Sequence, residues 1–234
     1  ERVREVVGED DVDRGVLVKA FRDRALIYLL ALSGVRGGEV LSDPNDGKRN
    51  GVTWNDLDLE QGTLRVFGKS REYEYAQVPE QAVSVLGRYR KILKPPTPEF
   101  PVFPTGHRPS MYAAVRKELK QRSFSEDEVE EILEKNDVDD VVEEYGVVLP
   151  SLSKSGGRSI LERLCEEAGI DVDGDVLKLH GARRGLGHEL YSKGHAELAQ
   201  SALRHSSIEV THESYSDIRA SDTADRVGDV LDRD

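Results

Sequence analysis

The segment Leu177 to Ile218, LKLHGARRGLGHELYSKGHAELAQSALRHSSIEVTHESYSDI, constrains this chain most. His180 and Arg183 are three residues apart, so a helix would point both side chains the same way. Gly194 is placed to end that helix. Ala196 to Leu203 is rich enough in helix formers for a short second helix. His205-Ser-Ser-Ile follows, and Tyr215 sits ten residues beyond His205 in a polar stretch. Folded back on itself, the segment would bring together a guanidinium, two imidazoles and a phenol.

That set suits attack on a phosphodiester. Arg presents a planar fork that pairs bidentately with phosphate oxygens. His holds or passes a proton near neutral pH. Tyr is a feeble nucleophile at its ordinary pKa, but it forms a covalent intermediate where a base and nearby cations favour the phenolate. Taken singly, each residue reads more simply: His180 and His205 as satisfied structural histidines, Tyr215 as a half-buried aromatic. The set needs a second Arg and a proton donor from elsewhere in the chain.

Composition narrows the class. A chain of 234 residues can bury one large core. No apolar run approaches the roughly 20 residues needed to span a bilayer, and no secretory signal is visible. The first residue is Glu rather than Met, so the expectation is a piece of a longer protein. Cys165, in SILERLCEEAGI, is the single cysteine, which excludes an intrachain disulfide and agrees with a cytoplasmic location. The net charge of −12 argues at first against nucleic acid. Its distribution removes that objection, because Ser125 to Pro150 holds 11 acidic residues and one Lys and leaves the rest near neutral. Arg outnumbers Lys 22 to 11. Abundant carboxylates with few Lys resemble proteins of a salt-rich cytoplasm, so a halophilic, archaeal source is the matching expectation.

Along the chain, residues 1–15 read as a ragged lead-in. Val16 to Leu32 has the apolar spacing of a buried helix. It stops at Ser33-Gly34-Val35-Arg36-Gly37-Gly38-Glu39, where glycines on both sides would let Arg36 approach a ligand. Ser42 to Asn50 is a turn-rich surface loop. Thr63 to Gly68 and Glu74 to Pro79 read as two strands of a hairpin with Lys69 near its tip, exposed and able to reach into a cleft. A helix from Pro79 to Lys94 is stopped by Pro95-Pro96, and another covers Pro109 to Arg122. Ser125-Glu-Asp-Glu is a capping box for an acidic helix, Glu126 to Lys135, with a second acidic helix from Asp137 to Tyr145. Gly157 to Ala168 is amphipathic and closed by Gly169. Asp171 to Asp175 lacks the distal Glu of a calcium loop and reads as a turn. There are no internal repeats, no phosphate-binding GxxxxGK loop, no CxxC pairs and no HExxH, so neither a nucleotide cofactor nor a structural zinc is expected.

In order, the motifs are S-G-V-R-G-G-E with Arg36, a strand-turn-strand with Lys69, H-G-A-R with His180 and Arg183, L-R-H-S-S-I with His205, and then Tyr215. This arrangement resembles the catalytic domain of the tyrosine recombinase (phage integrase) family over roughly Val16 to Ile218. Each motif is weak alone; five motifs carrying six residues in one order are specific. The resemblance implies a mainly α fold with a small antiparallel β-sheet, and a single catalytic domain spanning 1–234. It also implies site-specific cutting and rejoining of double-stranded DNA through a 3′-phosphotyrosyl intermediate, with no metal, cofactor or ATP. In the roles it implies, Arg36 and Arg183 clamp the scissile phosphate, Tyr215 attacks, and Lys69 protonates the departing 5′-oxygen. His180 takes the Tyr proton or orients the phenol, and His205 binds the phosphate or supports that path.

Three departures from the family pattern stand out. Arg204 occupies the place of the usual Gly before the motif His, Arg184-Gly185 replaces the usual His-Thr or His-Ser, and the His205–Tyr215 spacing is long. Tyr191, the alternative nucleophile, reads as core. The segment from about 106 to 149 stands as an acidic helical insertion expected to face away from DNA. The family's N-terminal DNA-binding domain has no counterpart here. Self-assembly into a tetramer on DNA is implied, with exchange of a segment within Asp217 to Asp234. No membrane partner is expected. A type IB topoisomerase that only relaxes DNA is the rival within the same chemistry, and a non-catalytic DNA-binding module is the rival from another class.

Overall fold

A computed structural model describes residues 14–172 and 175–216. The expectations for the lead-in and for a segment exchanged within the C-terminal tail lie outside the described residues. In chain order the elements are α1 (Arg14–Leu32), α2 (Gly37–Val40), β1 (Leu57–Asp58), β2 (Thr63–Phe67), β3 (Tyr73–Gln77), α3 (Glu80–Leu93), α4 (Arg108–Gln121), α5 (Glu126–Lys135), α6 (Val138–Tyr145), α7 (Lys154–Ala168), α8 (Leu179–Ser192), α9 (Ala196–Leu203) and α10 (Ile208–Ser214). The fold is therefore mainly helical with one small sheet, as expected.

α1 is the central strut. Ala25, Leu26, Leu29 and Leu30 are fully buried, and α3 and α8 both pack on the helix. α3 buries Ala82, Val85, Leu86 and Tyr89, the i, i+3, i+4, i+7 stripe of an amphipathic helix. Each fully buried Leu in this interface contributes roughly 2 kcal/mol. α3 ends where its pattern predicts: Lys94 takes the left-handed conformation (φ 50°) and the prolines follow. One pair that no sequence pattern announces lies inside α1. Arg22 and Asp23 are both buried, joined by bonds of 3.0 and 2.8 Å, and Asp23 also pairs with Arg163 of α7.

The sheet has three antiparallel strands in the order β1-β2-β3. The expected hairpin is present. The short strand β1, which no pattern predicts, pairs Leu57 with Leu64. In the β2–β3 register Leu64 faces Ala76 and Val66 faces Glu74. Period-2 alternation turns Leu64, Val66 and Ala76 to the core and leaves Tyr73 and Tyr75 exposed. Glu74 consequently lies on the inward face, at the end of the strand nearest the turn that carries Lys69.

In the acidic segment the Ser125 capping box forms as predicted: the Ser125 N–H donates to Glu128 Oε2 at 2.8 Å and the Glu128 N–H to Ser125 Oγ at 3.3 Å. Its buried face, Val129, Leu133, Val138 and Val141, belongs to the same hydrophobic cluster as α1 and α3. Its carboxylates are not all idle. Arg116 binds Glu130, Arg108 binds Asp137 and Asp139, and Arg14 binds Glu143. α7 starts at Lys154, three residues before the amphipathic pattern, because Ser153 caps the Gly156 N–H at 3.1 Å. Cys165 is buried on α7. No helix among the described residues is long and apolar enough to cross a membrane.

Candidate active site

Local chemistry places each side chain first. α1 closes with the Ser33 hydroxyl donating to Leu29 O at 2.6 Å, and the chain turns through Gly34 at φ 64°. A Cβ at Gly34 would collide with the Ala202 carbonyl oxygen, so the end of α1 presses directly on α9. Arg36 follows in extended conformation and starts the single-turn helix α2. A Cβ on Gly37 would lie 2.8 Å from Leu179 Cβ, so glycine lets this turn abut the start of α8. On α8, His180, Arg183, Gly187 and Tyr191 recur at helical spacing along one face.

Arg183 is buried at 3% exposure. Its two terminal nitrogens donate to the carbonyl oxygens of Gly34 and Leu203, joining the end of α1 to the end of α9. Those partners carry no formal charge. Burial first, then the neighbouring Arg36 and Arg204, lower its pKa to about 10, so it remains a cation at neutral pH.

Arg36 is held by a carboxylate outside the set expected from the sequence. Glu39 Oε1 accepts from Arg36 Nη1 at 2.7 Å and Oε2 accepts the Arg36 backbone N–H at 2.8 Å. The same side chain, fully buried, also takes Arg204 Nη2 at 2.5 Å. Burial works to raise the Glu39 pKa, but the Arg36 N–H and the Arg204 charge outweigh it and keep the group ionised. The i, i+3 spacing of Arg36 and Glu39 is the signal that could have found the first pairing. The wide separation of Glu39 and Arg204 in sequence hides the second.

His180 and His205 both lie in this cationic field. Burial first, then Arg183 and Arg36 (with Arg184 also acting on His180), hold their pKa values below the ordinary histidine range. His205 Nδ1 is 2.9 Å from the hydroxyl of Thr211, a fully buried residue of α10. That bond fixes the ring and leaves Nε2 for another partner.

Because both rings favour the neutral form in the fold, the unfolded chain binds more protons below about pH 6.5. Stability is therefore complete above that pH and is lost as pH falls through the lowered native values. Melting temperatures taken across this window should fall less steeply for a His180→Gln/His205→Gln double variant than for the parent.

Tyr215 follows α10, a helix where the sequence shows only a polar stretch, and Ser207 caps its start. The phenol is partly buried, its ring tilted 32° against Tyr191 with centroids 5.5 Å apart. A Cβ on Gly187 would overlap the Tyr215 hydroxyl oxygen and lie 2.5 Å from its Cζ, so the glycine forms the seat of the phenol. Burial raises the Tyr215 pKa while Arg183 and Arg184 oppose that shift, which keeps the resting phenol protonated.

Gly187→Ala is therefore expected to expel the hydroxyl from this seat. Helix propensity favours Ala by about 1 kcal/mol, which offsets part of the cost of moving the Leu203 side chain, whose Cδ1 would lie 2.7 Å from the new Cβ. Any reaction of Tyr215 should slow by about 100-fold, the scale of a misplacement near 1 Å. A rate unchanged at unchanged melting temperature would show that the seat plays no part. Tyr191 is core, as expected, at 8% exposure, and its hydroxyl lies 2.7 Å from His212 Nδ1.

Thus five of the six expected residues, Arg36, His180, Arg183, His205 and Tyr215, share one electrostatic neighbourhood, in which Arg36 acts on Arg183 and both act on the two histidines. The sixth, Lys69, stands exposed in the β2–β3 turn. Of the other basic residues near this turn, Arg71 pairs with Asp46 at 2.7 Å and Lys48 lies 5.9 Å from the Phe67 ring centre.

A mainly helical fold thus brings a buried arginine, two histidines and a seated tyrosine into one electrostatic neighbourhood. The chain belongs to the phage integrase family, whose pattern it matches over residues 16–221. It is 26% identical over 194 residues to the tyrosine recombinase XerD of Xanthomonas campestris pv. campestris, covering 81% of this chain and 46% of that protein. The chain thus spans about half the length of that curated relative. Among solved structures it resembles the XerA recombinase (TM-score 0.53, 19% identity, 96% of this chain and 62% of that one). It also resembles the XerH site-specific recombinase bound to palindromic difH substrate in a post-cleavage complex (TM-score 0.52, 16% identity, 95% and 49%). At these identities the likeness establishes the tyrosine recombinase catalytic fold.

Proposed function

We propose that this chain is the catalytic domain of a site-specific DNA recombinase, with residues 106–149 as an acidic helical insertion. One observation carries the reading. Among the described residues, Arg183 is a buried cation whose own bonds go to carbonyl groups, beside an Arg36 that shares its carboxylate partner with Arg204. Such a site is short of negative charge and suits an anion held from two sides.

In the proposed reaction the phosphodiester takes that place. Tyr215 Oη attacks phosphorus, its proton passes to neutral His180, and the P–O5′ bond breaks. Lys69 gives a proton to the 5′-oxygen, and His205 Nε2 donates to a non-bridging oxygen. A 3′-phosphotyrosyl bond retains the free energy of the broken ester, so a 5′-hydroxyl from a second duplex can reverse the step without ATP. Arg36 and Arg183 offset the charge that grows on the oxygens, each donor worth about 3 kcal/mol. Assembly of four copies on double-stranded cytoplasmic DNA, at high salt, completes the proposal.

The test uses duplexes tiled across the genomic repeats beside the gene, each nicked next to the candidate phosphate. A covalent adduct whose DNA-bearing peptide contains Tyr215 supports the reading. No adduct on any duplex, or one on another residue, would overturn it. Product strands joined to a second duplex separate recombination from relaxation alone.

A further inference from the structure

We infer that Arg204 is a positioning residue that tethers the Lys69 turn to the active site through Glu74. The inference rests on the reading of Lys69 as the proton donor. Arg204 has φ 50° and ψ 49°, the left-handed region that disfavours any residue with a Cβ, so glycine would suit this helix end better. The side chain accounts for the exception.

The Arg204 guanidinium is only 12% exposed and joins two carboxylates from distant parts of the chain. Nη2 donates to Glu39 Oε2 at 2.5 Å and Nε to Glu74 Oε2 at 3.2 Å. Two of the three Arg204 nitrogens are thus committed to carboxylates inside the protein, and the third, Nη1, is buried without a hydrogen-bond partner among the described residues.

Glu74 continues the chain of contacts into the turn. Its Oε1 accepts the Ser70 hydroxyl at 2.6 Å, and its carboxylate packs on Gly68, where a Cβ would lie 2.6 Å from Cδ. Lys69 is the residue between Gly68 and Ser70. From the other side, Arg49 donates to the carbonyls of Phe67 and Gly68 at 2.9 Å each and of Gly38 at 2.7 Å. Lys69 therefore has an exposed side chain on a backbone held from both flanks. Arg204, which holds the Glu74 carboxylate that makes one of those ties, directly precedes His205. A proton donor on a hairpin tip needs such a tether, since an ångström of misplacement costs on the order of 100-fold in rate.

The experiment compares adduct formation on two versions of the nicked duplex that reacts with the parent protein. One has the ordinary 5′-bridging oxygen at the scissile phosphate; in the other, sulfur replaces it. With oxygen, the P–O5′ bond breaks as O5′ gains a proton from Lys69. With sulfur, the P–S5′ bond breaks and the thiolate leaves without a proton, so no donor is needed.

On the oxygen substrate Lys69→Ala should slow the reaction by about 100-fold or more, and Arg204→Gly and Glu74→Ala by about 10-fold or more. Glu74→Gln, which keeps an oxygen for Arg204, should lose less. On the sulfur substrate all should return to within about 3-fold of the parent. Arg204→Gly equally slow on both substrates, or unimpaired on oxygen, overturns the inference while a rescued Lys69→Ala leaves the reading of Lys69 standing. A Lys69→Ala variant slow on both removes Lys69 as the donor and the inference with it. Should Arg204→Gly not fold, Glu74→Ala carries the same arm. Amide exchange gives a second measurement without DNA: Gly68 to Glu72 should exchange faster in the variant than in the parent, and unchanged exchange there overturns the tether.

Discussion

Tyr215→Phe is expected to lower covalent adduct formation by at least about 1,000-fold while leaving the fold and DNA binding intact. The substitution deletes one oxygen and retains the ring that packs against Tyr191. The neighbouring phenol is not ready to replace it. Tyr191 is buried, and its hydroxyl is engaged with His212. Gel separation of adduct from free DNA, with melting curves of both proteins, checks the result. Adduct persisting at Tyr191 would transfer the nucleophile's role to that residue. Adduct persisting undiminished on a residue other than a tyrosine would remove the phosphotyrosyl intermediate altogether.

Replacement of Arg183 is expected to produce the second large effect, and it should divide into two parts. Arg183→Ala removes a cation from the proposed phosphate site, an expected loss of about 100- to 1,000-fold in the rate of adduct formation. It also strands the buried carbonyls of Gly34 and Leu203, each at a cost of about 1–3 kcal/mol. The melting temperature should therefore fall as well. Arg183→Lys separates the two parts by keeping the charge. A single ammonium cannot reproduce the planar fork that reaches two carbonyls and still faces a ligand. The Lys variant should recover much of the stability and little of the rate. Equal recovery of both would mean that Arg183 acts by charge alone.

Much of the architecture is legible in the sequence because its causes are local. The α3 stripe, the Ser125 capping box, the proline stop after Lys94 and the hairpin all depend on residues within a few positions of one another. The proposed catalytic set is legible for a different reason. Arg, His and Tyr at those spacings carry little meaning singly but much as an ordered set, which is what the resemblance rests on. What stays hidden is of two kinds. β1 and α10 are too short for a periodic signal; α10 exists because Ser207 caps it and Thr211 is buried beneath His205. The other kind is pairing across the chain. Nothing near Arg204 announces that its partners are Glu39 and Glu74, 165 and 130 residues away.

The sequence by itself determined the longer helices, most of their ends, and the proposed set of side chains chemically suited to break a phosphodiester. Periodicity, capping and side-chain chemistry are written in neighbouring residues, so a linear reading suffices. Only the tertiary structure decided that Glu39 would be shared between two arginines, that Gly187 would seat the Tyr215 hydroxyl, and that Arg204 would turn inward to the hairpin. Those outcomes depend on how helices from opposite ends of the chain pack, and close packing is a property of the assembled core.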